Sequence, residues 1–315
     1  MNTLFKKTTV FILFLFLFPY SITVFTYGIH QPIEEDYTNI DSMYRVQISS
    51  KIGEVSISLE EYLLGVLASC IDPSYELEMI KVQAVILRTN FMLQMEDENF
   101  SWNPTYVIDV TQMGNTYYDV VDRKELWGES YEEYAQKFYI ALVDTKNMVI
   151  TVNEEWVVLP FFALSAGVTR EASDLLEDIC YKGMEGVSCK NDILSPMYLQ
   201  SFTFSRNDIS QAFGMDKWEE EWEIVVAVID DANYVLKVEV GNRSMSGEEF
   251  RNQLSLPSSN FTIYQEGKDI IIHTKGIGHG IGLSQYTGND LAKEGKGFEE
   301  ILEYFYHNIG VQLYL

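Results

Sequence analysis

The stretch Gly278-His279-Gly280-Ile281-Gly282-Leu283-Ser284-Gln285-Tyr286 places three glycines within five residues, followed by polar and aromatic side chains. Glycine loses more conformational entropy on folding than other residues, so such a cluster needs a structural reason. Two reasons fit: backbone φ values open to glycine alone, or close approach of another backbone or a ligand. A dinucleotide-binding G-x-G-x-x-G is excluded, because the third glycine comes one position early and no βαβ unit surrounds it. Without further context, the stretch predicts a structural turn.

Composition indicates a folded and strongly acidic protein. The 315 residues allow one large or two ordinary domains, and a hydrophobic content of 47% supplies a core, which excludes global disorder. The 47 acidic and 22 basic residues give a net charge of −25. A surface of this sign repels phosphate backbones, so we predict no nucleic-acid partner. It also repels anionic membranes and wall polymers, so an extracytoplasmic partner would not be recognised by overall charge.

The N-terminus carries the pattern of a membrane anchor. Two lysines precede Thr8–Ile29, a run of 22 residues without charge that is long enough to cross a bilayer as a helix. The positive flank orients the N-terminus inside and the rest of the chain outside. We predict a single-pass protein of the cell membrane, with an uncleaved anchor over residues 1–29, a linker over residues 30–43 and an extracytoplasmic C-terminal domain. Pro19 leaves a second interpretation open, a signal peptide whose cleavage would give a secreted protein.

The three cysteines do not form a disulfide scaffold, because the chain is too large and their number is odd. Cys180 and Cys189 could pair with each other outside a membrane, which leaves Cys70 alone. The later two cysteines lack a nearby histidine, which makes them a poor zinc site. We predict no cofactor; if zinc were bound, Cys180 and Cys189 would be the candidate ligands.

Periodicity predicts short strands interleaved with helices. The predicted strands are Arg45–Ile48, Val55–Leu59, Tyr106–Val110, Met148–Val152, Trp156–Phe162, Ile224–Ile229, Tyr234–Val240 and Ile270–Thr274. The predicted helices are Leu59–Ala68, a helix with its apolar face from Leu77 to Phe91, Ser130–Thr145, Asn207–Phe213, Ser246–Leu254, Tyr286–Glu294 and Phe298–His307. No regular βαβ rhythm runs through this order. We therefore predict an α+β fold with mostly antiparallel pairs, including hairpins of Met148–Val152 with Trp156–Phe162 and of Ile224–Ile229 with Tyr234–Val240.

The first two helices are predicted to meet at a corner. Ser58 can cap the first helix, with Glu60 in its first turn, where the helix dipole favours negative charge. Asp72-Pro73-Ser74 ends that helix, and the second helix follows. The break from Ser69 to Asp72 is therefore expected at an exposed edge of the fold, where catalytic residues can lie.

Four groups of residues carry a likeness to a known family. They are Ser58-Leu59-Glu60-Glu61-Tyr62-Leu63-Leu64-Gly65-Val66-Leu67-Ala68-Ser69 with Lys81-Val82-Gln83-Ala84-Val85 and Arg88-Thr89; Pro160-Phe161 with Ser165-Ala166-Gly167-Val168-Thr169; Ser246-Gly247-Glu248-Glu249-Phe250-Arg251 with Asn260-Phe261-Thr262; and Gly276–Tyr286 with Ile301-Leu302. In this order they resemble the stage II sporulation protein D (SpoIID) family, which includes the LytB amidase enhancers. The likeness spans residues 44–315, which we interpret as one SpoIID-like domain with a smaller accessory region near 98–155.

The resemblance implies a lytic transglycosylase of bacterial peptidoglycan at the outer face of a membrane. In sporulating members it acts during engulfment, on glycan strands already stripped of their stem peptides. The implied reaction cleaves the bond between N-acetylmuramic acid and N-acetylglucosamine and leaves an anhydro-muramyl end. One carboxyl group protonates the leaving oxygen and then accepts the proton of the attacking hydroxyl. The implied partners are glycan strands, together with other cell-wall hydrolases or sporulation membrane proteins.

The chain departs from the family where that carboxyl group belongs. The resemblance implies a glutamate directly after Ala68-Ser69, and this sequence has Cys70. A thiol is a poor general acid, with an ordinary pKa of ~8.5 against ~4.3 for glutamate, and loss of a positioned acid costs on the order of 100- to 10,000-fold in rate. A second departure is Phe162, where many members carry histidine. It removes a polar group from the implied groove, together with any metal that this histidine helps to hold.

Two other chemistries stay open. Asp72 is the candidate substitute acid, although its carboxylate could instead cap the second helix. Cys70 could act as a nucleophile with His279 as its base, although a buried, inert cysteine is the commoner outcome. The residues predicted to bind glycan are His279, Ser284, Gln285, Tyr286 and Ser165.

We therefore predict a membrane-anchored SpoIID-like protein of sporulation or cell-wall remodelling, a candidate pseudoenzyme whose glycan cleavage is weakened or lost. The first alternative is an active lytic transglycosylase that uses Asp72. The second is a LytB-like amidase enhancer or glycan-binding module.

Overall fold

The computed structural model describes residues 40, 42, 44–50, 53–97, 107–109, 116–171, 184–219 and 222–314. Within them the helices are α1 (Leu59–Cys70), α2 (Leu77–Asp97), α3 (Val120–Trp127), α4 (Tyr131–Asp144), α5 (Arg206–Ala212), α6 (Gly247–Gln253), α7 (Gln285–Lys293) and α8 (Phe298–Phe305). The strands are β1 (Arg45–Ser50), β2 (Gly53–Ser58), β3 (Val107–Asp109), β4 (Met148–Val152), β5 (Phe161–Phe162), β6 (Leu199–Ser205), β7 (Ile224–Ile229), β8 (Val235–Val240), β9 (Arg243–Ser246), β10 (Phe261–Glu266), β11 (Asp269–Lys275), β12 (Leu283–Ser284) and β13 (Ile309–Leu313).

The strands form small sheets with mainly antiparallel pairing. Three sheets have three strands, in the orders β2-β1-β3, β10-β11-β6 and β7-β8-β9, and two are the pairs β12-β5 and β13-β4. In the described residues six strand pairings are antiparallel, while β1 with β3 and β12 with β5 are parallel. The predicted α+β class with mostly antiparallel pairs is confirmed.

Most of the buried apolar side chains among the described residues form two clusters, which we call the first and second lobes. In the first lobe α2 packs against α1, α4, α7, α8 and β4. In the second lobe α5 packs on β6 and α6 on β8. Trp127 of α3 and Phe138 of α4, within the predicted accessory region, belong to the first lobe.

Local signals around the corner of α1 and α2 are confirmed. Ser58 is the N-cap of α1, and its hydroxyl accepts the backbone N–H of Glu61 at 3.1 Å. The break between the two helices runs from residue 71 to residue 76, so Ser69 and Cys70, which were predicted to lie in the break, are instead the last two residues of α1. The capping box of Ser246 and Glu249 at the start of α6 is also present, as is the hairpin of β7 and β8.

The predicted hairpin of Met148–Val152 with Trp156–Phe162 is wrong. β4 pairs instead with β13, with Val152 opposite Ile309, and only Phe161 and Phe162 of the second segment form a strand. The Leu159 backbone is hydrogen-bonded by both ends of the Asn90 side-chain amide, at 2.8 and 2.9 Å. Pro160 follows and has no N–H to donate. This segment therefore uses a side chain of α2, and not β4, as its partner.

α3 is a helix that the sequence analysis did not predict; it begins with a capping box formed by Asp119 and Asp122. Among the described residues, no helix is both long enough and apolar enough to span a membrane. The predicted anchor over residues 1–29, most of the linker and Cys180 lie outside the described residues.

Candidate functional site

The glycine stretch needs its glycines for both reasons that the sequence suggested. Gly278, Gly280 and Gly282 have φ of +116°, +82° and +76°, values that favour glycine. A Cβ on Gly278 would lie 2.5 Å from the Phe162 Cβ, and one on Gly282 would lie 2.1 Å from the Pro160 carbonyl oxygen. The stretch therefore lies tightly against β5 and the residue before it, and β12 within it pairs with β5.

Replacing Gly282 with alanine is expected to lower the free energy of unfolding by about 2–5 kcal/mol, because the new Cβ adds steric overlap to an unfavourable φ. Gly267→Ala is the matched control: its φ is +62° but nothing lies within 4 Å of the added Cβ, so a loss of about 1–2 kcal/mol is expected. Urea unfolding of both variants measures the difference. Equal losses would contradict the close packing against Pro160.

Arg170 anchors the glycine stretch to the second lobe. Its backbone N–H donates to the Gly280 carbonyl at 2.7 Å, and its Nη1 donates to the His279 carbonyl at 3.0 Å. Its Nε donates to Asp230 at 2.6 Å, with both side chains about 1% exposed, and its guanidinium lies over the Tyr234 ring. Buried charges are tolerated when paired and hydrogen-bonded in this way. Arg170 is in none of the motifs noted in the sequence.

The structure brings the glycine stretch next to Cys70. Gln285, the first residue of α7, donates its Nε2 to the Cys70 carbonyl at 2.8 Å and to Gln83 Oε1 at 3.0 Å. One turn further along α7, Asn289 Oδ1 accepts the Glu76 N–H at 2.8 Å. The break between α1 and α2 therefore runs alongside the first turns of α7. Gln285 is buried and holds this break in place.

Cys70 is the last residue of α1 and is half-buried. Its thiol donates to the Leu67 carbonyl at 3.5 Å, within the range of a sulfur hydrogen bond. Burial raises the pKa of the thiol to about 12, although its own backbone opposes the shift. The thiol is therefore protonated at neutral pH, which disfavours the thiolate that a cysteine nucleophile needs.

Asp72 lies exposed in the break. Its Oδ1 accepts the Ser74 N–H at 2.9 Å and the Ser74 hydroxyl at 2.7 Å. Its carbonyl accepts the Tyr75 N–H at 3.1 Å. The carboxylate thus closes a local turn ahead of α2, which starts five residues later at Leu77.

His279 is held within the loop by its ring. Its Nδ1 accepts the backbone N–H of Ile281 at 3.1 Å, and the ring packs against Phe162 with centroids 5.6 Å apart. Burial lowers the pKa of the imidazole, with help from Arg251 and Arg170 and against the opposing effect of Glu248. Among the described residues no hydrogen bond joins His279 to Cys70, so the geometry gives no support to a cysteine–histidine pair.

Acid is expected to weaken the fold through His279. Because the pKa is lowered in the folded state, the unfolded chain binds this proton first, so stability is complete above the ordinary pKa of ~6.5 and falls as pH drops below it. The slope contributed by one group is at most about 1.4 kcal/mol per pH unit. Urea unfolding between pH 7.5 and pH 5.5 should show a shallower decline for His279→Gln than for the wild type. Identical declines would contradict this assignment.

A buried carboxylate that no sequence motif indicates joins two of the motifs to α7. Asp192, in the 3-10 turn Lys190–Leu194, is fully buried. Its Oδ2 accepts the Ser165 N–H at 2.6 Å and the Ser284 hydroxyl at 2.7 Å, and its Oδ1 accepts the Thr287 hydroxyl at 2.5 Å. The Ser165 backbone N–H and the Ser284 hydroxyl are thus buried hydrogen-bond donors to this carboxylate, and these bonds hold the site together.

Two tyrosines belong to this part of the site, Tyr75 in the break and Tyr286 on α7. Tyr286 is half-buried on α7. The pKa of Tyr75 is raised, first by its burial and then by the charges of Asp72, Asp192 and Asp290 and by Tyr286. The Tyr75 phenol therefore experiences an acidic electrostatic environment, with contributions from the break, the 3-10 turn and α7. Carboxylates and aromatic faces of this kind are suited to binding neutral polar ligands such as sugars.

The donors needed for a zinc site are not assembled in the described residues. Phe162 is buried against His279 where the family resemblance implies a histidine. Cys189 is buried and its thiol donates to the Val187 carbonyl at 3.6 Å, while burial raises its pKa to about 12. Within the described ranges no three His, Cys, Asp or Glu side chains form a potential metal cluster. Cys180 lies outside those ranges, and the described side chains do not fit a metal.

Comparison with known proteins identifies similar chains. A family model described as stage II sporulation protein, SpoIID, matches residues 50–152. The chain is 30% identical over 253 residues to stage II sporulation protein D of Bacillus subtilis, covering 80% of this chain and 73% of that protein. It is 29% identical over 259 residues to stage II sporulation protein D of Bacillus amyloliquefaciens, covering 81% and 74%. An uncharacterized protein of Brachyspira hyodysenteriae is 26% identical over 261 residues, covering 81% and 67%.

Proposed function

Because the chain belongs to the stage II sporulation protein D family, we propose that it is a sporulation protein of cell-wall remodelling that binds peptidoglycan glycan strands. Its cleavage of those strands by lytic transglycosylation is weakened or lost. It therefore acts as a glycan-binding member of the family, and any effect on the wall passes through partner hydrolases or sporulation membrane proteins.

The observation that carries this proposal is the side chain at position 70. Lytic transglycosylation needs one carboxyl group that gives a proton to the leaving oxygen and then takes one from the attacking hydroxyl. The family resemblance implies that group directly after Ser69, where this chain has a thiol bonded to the Leu67 carbonyl. With a pKa of about 12, that thiol releases its proton far less readily than a carboxylic acid. A group of this kind cannot serve both proton-transfer steps at neutral pH.

The walls around position 70 support retained binding. Gln285 and Asn289 hold the break against α7, and Asp192 ties Ser165 and Ser284 together behind it. These contacts hold the break, α7 and the glycine stretch together without any contribution from the Cys70 side chain. A site whose walls are rigid loses little of its ligand binding when a single catalytic side chain is changed.

The location is part of the same proposal. An anchor over residues 1–29 and the linker that follows would hold the domain at the outer face of the membrane, in a sporulating cell within the space between its two membranes. The uncharged run Thr8–Ile29 supports an anchor of this length. There the domain would meet glycan strands whose stem peptides have been removed.

A second candidate function is an active transglycosylase that uses Asp72. The observation in its favour is the position of Asp72, exposed in the same break and only two residues beyond Cys70. Against it stands the local turn, in which Asp72 Oδ1 already binds the backbone and hydroxyl of Ser74. Anhydro-muramyl product that disappears in Asp72→Asn would establish this alternative.

Binding tests the proposal. Full-length protein in detergent is mixed with purified strands denuded by an amidase, and bound protein is separated by sedimentation. We expect the wild type and Cys70→Ser to bind equally, because the thiol does not form the walls. No binding by the wild type would refute a retained glycan groove.

A further inference from the structure

An open pocket of about 410 Å³ lies on the far side of α7 from the break. Its lining combines polar side chains of both charges with one aromatic ring. The lining residues are Ser188, Lys190, Asn191, Thr287, Asp290, Leu291, Glu294 and Tyr304. This volume and mixture of groups suit a sugar unit better than an apolar ligand.

The pocket continues the candidate site around α7. Residues four apart lie on one side of a helix, and each step along the chain turns about 100°. Gln285 and Asn289 contact the break at Cys70 and Glu76. Thr287, on the same helix, lines the pocket, and its hydroxyl donates to the buried Asp192 that also accepts the Ser284 hydroxyl at the end of the glycine stretch. A strand lying beside position 70 can therefore continue over α7 into this pocket.

The pocket lining holds one basic side chain, Lys190, beside two acidic ones, Asp290 and Glu294. Lys190 is exposed and forms no salt bridge or side-chain hydrogen bond in the part of the chain that the structure describes. Asp290 is paired with Lys293 at 3.2 Å, so Lys190 is the basic side chain of the lining that is left to pair with a carboxylate of the ligand. In a chain of net charge −25, a free ammonium at a pocket is a specific binding group for a local anion.

We propose that this pocket takes a further amino-sugar unit of the bound glycan, and that Lys190 pairs with the lactyl carboxylate of an N-acetylmuramic unit. This rests on the proposed function. That carboxylate is free only after the stem peptide has been removed; in a peptide-bearing strand it is a neutral amide. Asn191 and Glu294 then supply an amide and a carboxylate to the acetamido and hydroxyl groups of the same unit. Lys190 is thus a specificity residue that distinguishes denuded strands from peptide-bearing ones.

Affinity measurements on the full-length protein in detergent test this inference, with two probes from one preparation: strands before and after amidase digestion. We expect the wild type to prefer denuded strands, and Lys190→Gln to weaken their binding about fivefold while leaving peptide-bearing strands unaffected. Lys268→Gln, which removes an exposed charge from the second lobe, should change neither. Added salt should shrink the Lys190 effect.

The outcomes separate this inference from the proposed function. If the wild type binds strands and Lys190→Gln weakens both probes equally, or neither, the role of Lys190 is refuted and glycan binding stands. If the wild type binds neither probe, both proposals fall. Circular dichroism compares the melting temperature of Lys190→Gln with that of the wild type. We expect no difference, because the Lys190 side chain is exposed and has no partner among the described residues.

Discussion

Cys70→Glu is expected to turn this protein into an enzyme that releases anhydro-muramyl products at least about 100 times faster than the wild type, because a positioned general acid typically contributes about 100- to 10,000-fold. The new carboxyl group would stand at the C-terminal end of α1, where the carbonyl groups make the helix dipole negative. That field disfavours the carboxylate and raises its pKa, so the acid would keep its proton near neutral pH. Mass spectrometry of denuded strands incubated with the variant measures the gain.

Cys70→Gln is the matched control, since it has the size of glutamate without an ionisable proton. It should bind strands and release no product. The activity of Cys70→Glu should decline as pH rises through the pKa of the new acid. If Cys70→Glu folds and binds strands but remains as inactive as the glutamine variant, the thiol is not the cause of the lost catalysis.

Arg88→Met is expected to lower the free energy of unfolding by about 3–5 kcal/mol, because it leaves a buried carboxylate without its partner. Arg88 and Glu60 are each about 1% exposed and form a two-pronged pair, with Nε to Oε1 at 2.8 Å and Nη2 to Oε2 at 2.6 Å. Arg88 Nη1 also donates to the Thr145 and Met148 carbonyls, at 2.8 and 3.2 Å. The pair thus joins α1, α2 and the turn before β4. Denaturant unfolding of the purified variant measures the loss.

Lys217→Met controls for the loss of a basic side chain at the surface. Lys217 is 72% exposed and pairs with Glu219 at 3.1 Å, so its removal should cost less than about 1 kcal/mol. The double variant Glu60→Leu with Arg88→Met should recover part of the loss, because it leaves no buried charge unpaired. A loss for Arg88→Met as small as that for Lys217→Met would contradict the burial of the pair.

Local chemistry made much of this fold predictable. The Ser58 and Ser246 caps and the apolar spacing of α2 act within a few residues of each other, so the sequence alone reveals them. For Glu60 the position in the helix was predictable, but the burial was not. Its place in the first turn of α1 follows from the helix dipole, but its burial does not, because the partner Arg88 is 28 residues away.

The features that were not predicted depend on contacts between residues that are far apart in the chain. β4 carries the alternation of a strand, but nothing in it identifies β13, which lies more than 150 residues later, as its neighbour. Asp192 has no motif around it, and the three groups it binds are 27, 92 and 95 residues away in the chain. The glycines of the loop gave the clearest local signal, because each positive φ excludes most other residues whatever lies nearby.

The most direct test of the central claim is the product of the wild-type protein itself. Full-length wild type in detergent is incubated with denuded glycan strands at neutral pH, and the strand ends are counted by mass spectrometry beside a sample of Cys70→Glu. We predict that the wild type binds the strands and releases few or no anhydro-muramyl ends, while the variant releases them readily. Abundant anhydro-muramyl product from the wild type would contradict the account, and its loss in Asp72→Asn would assign the reaction to Asp72 instead.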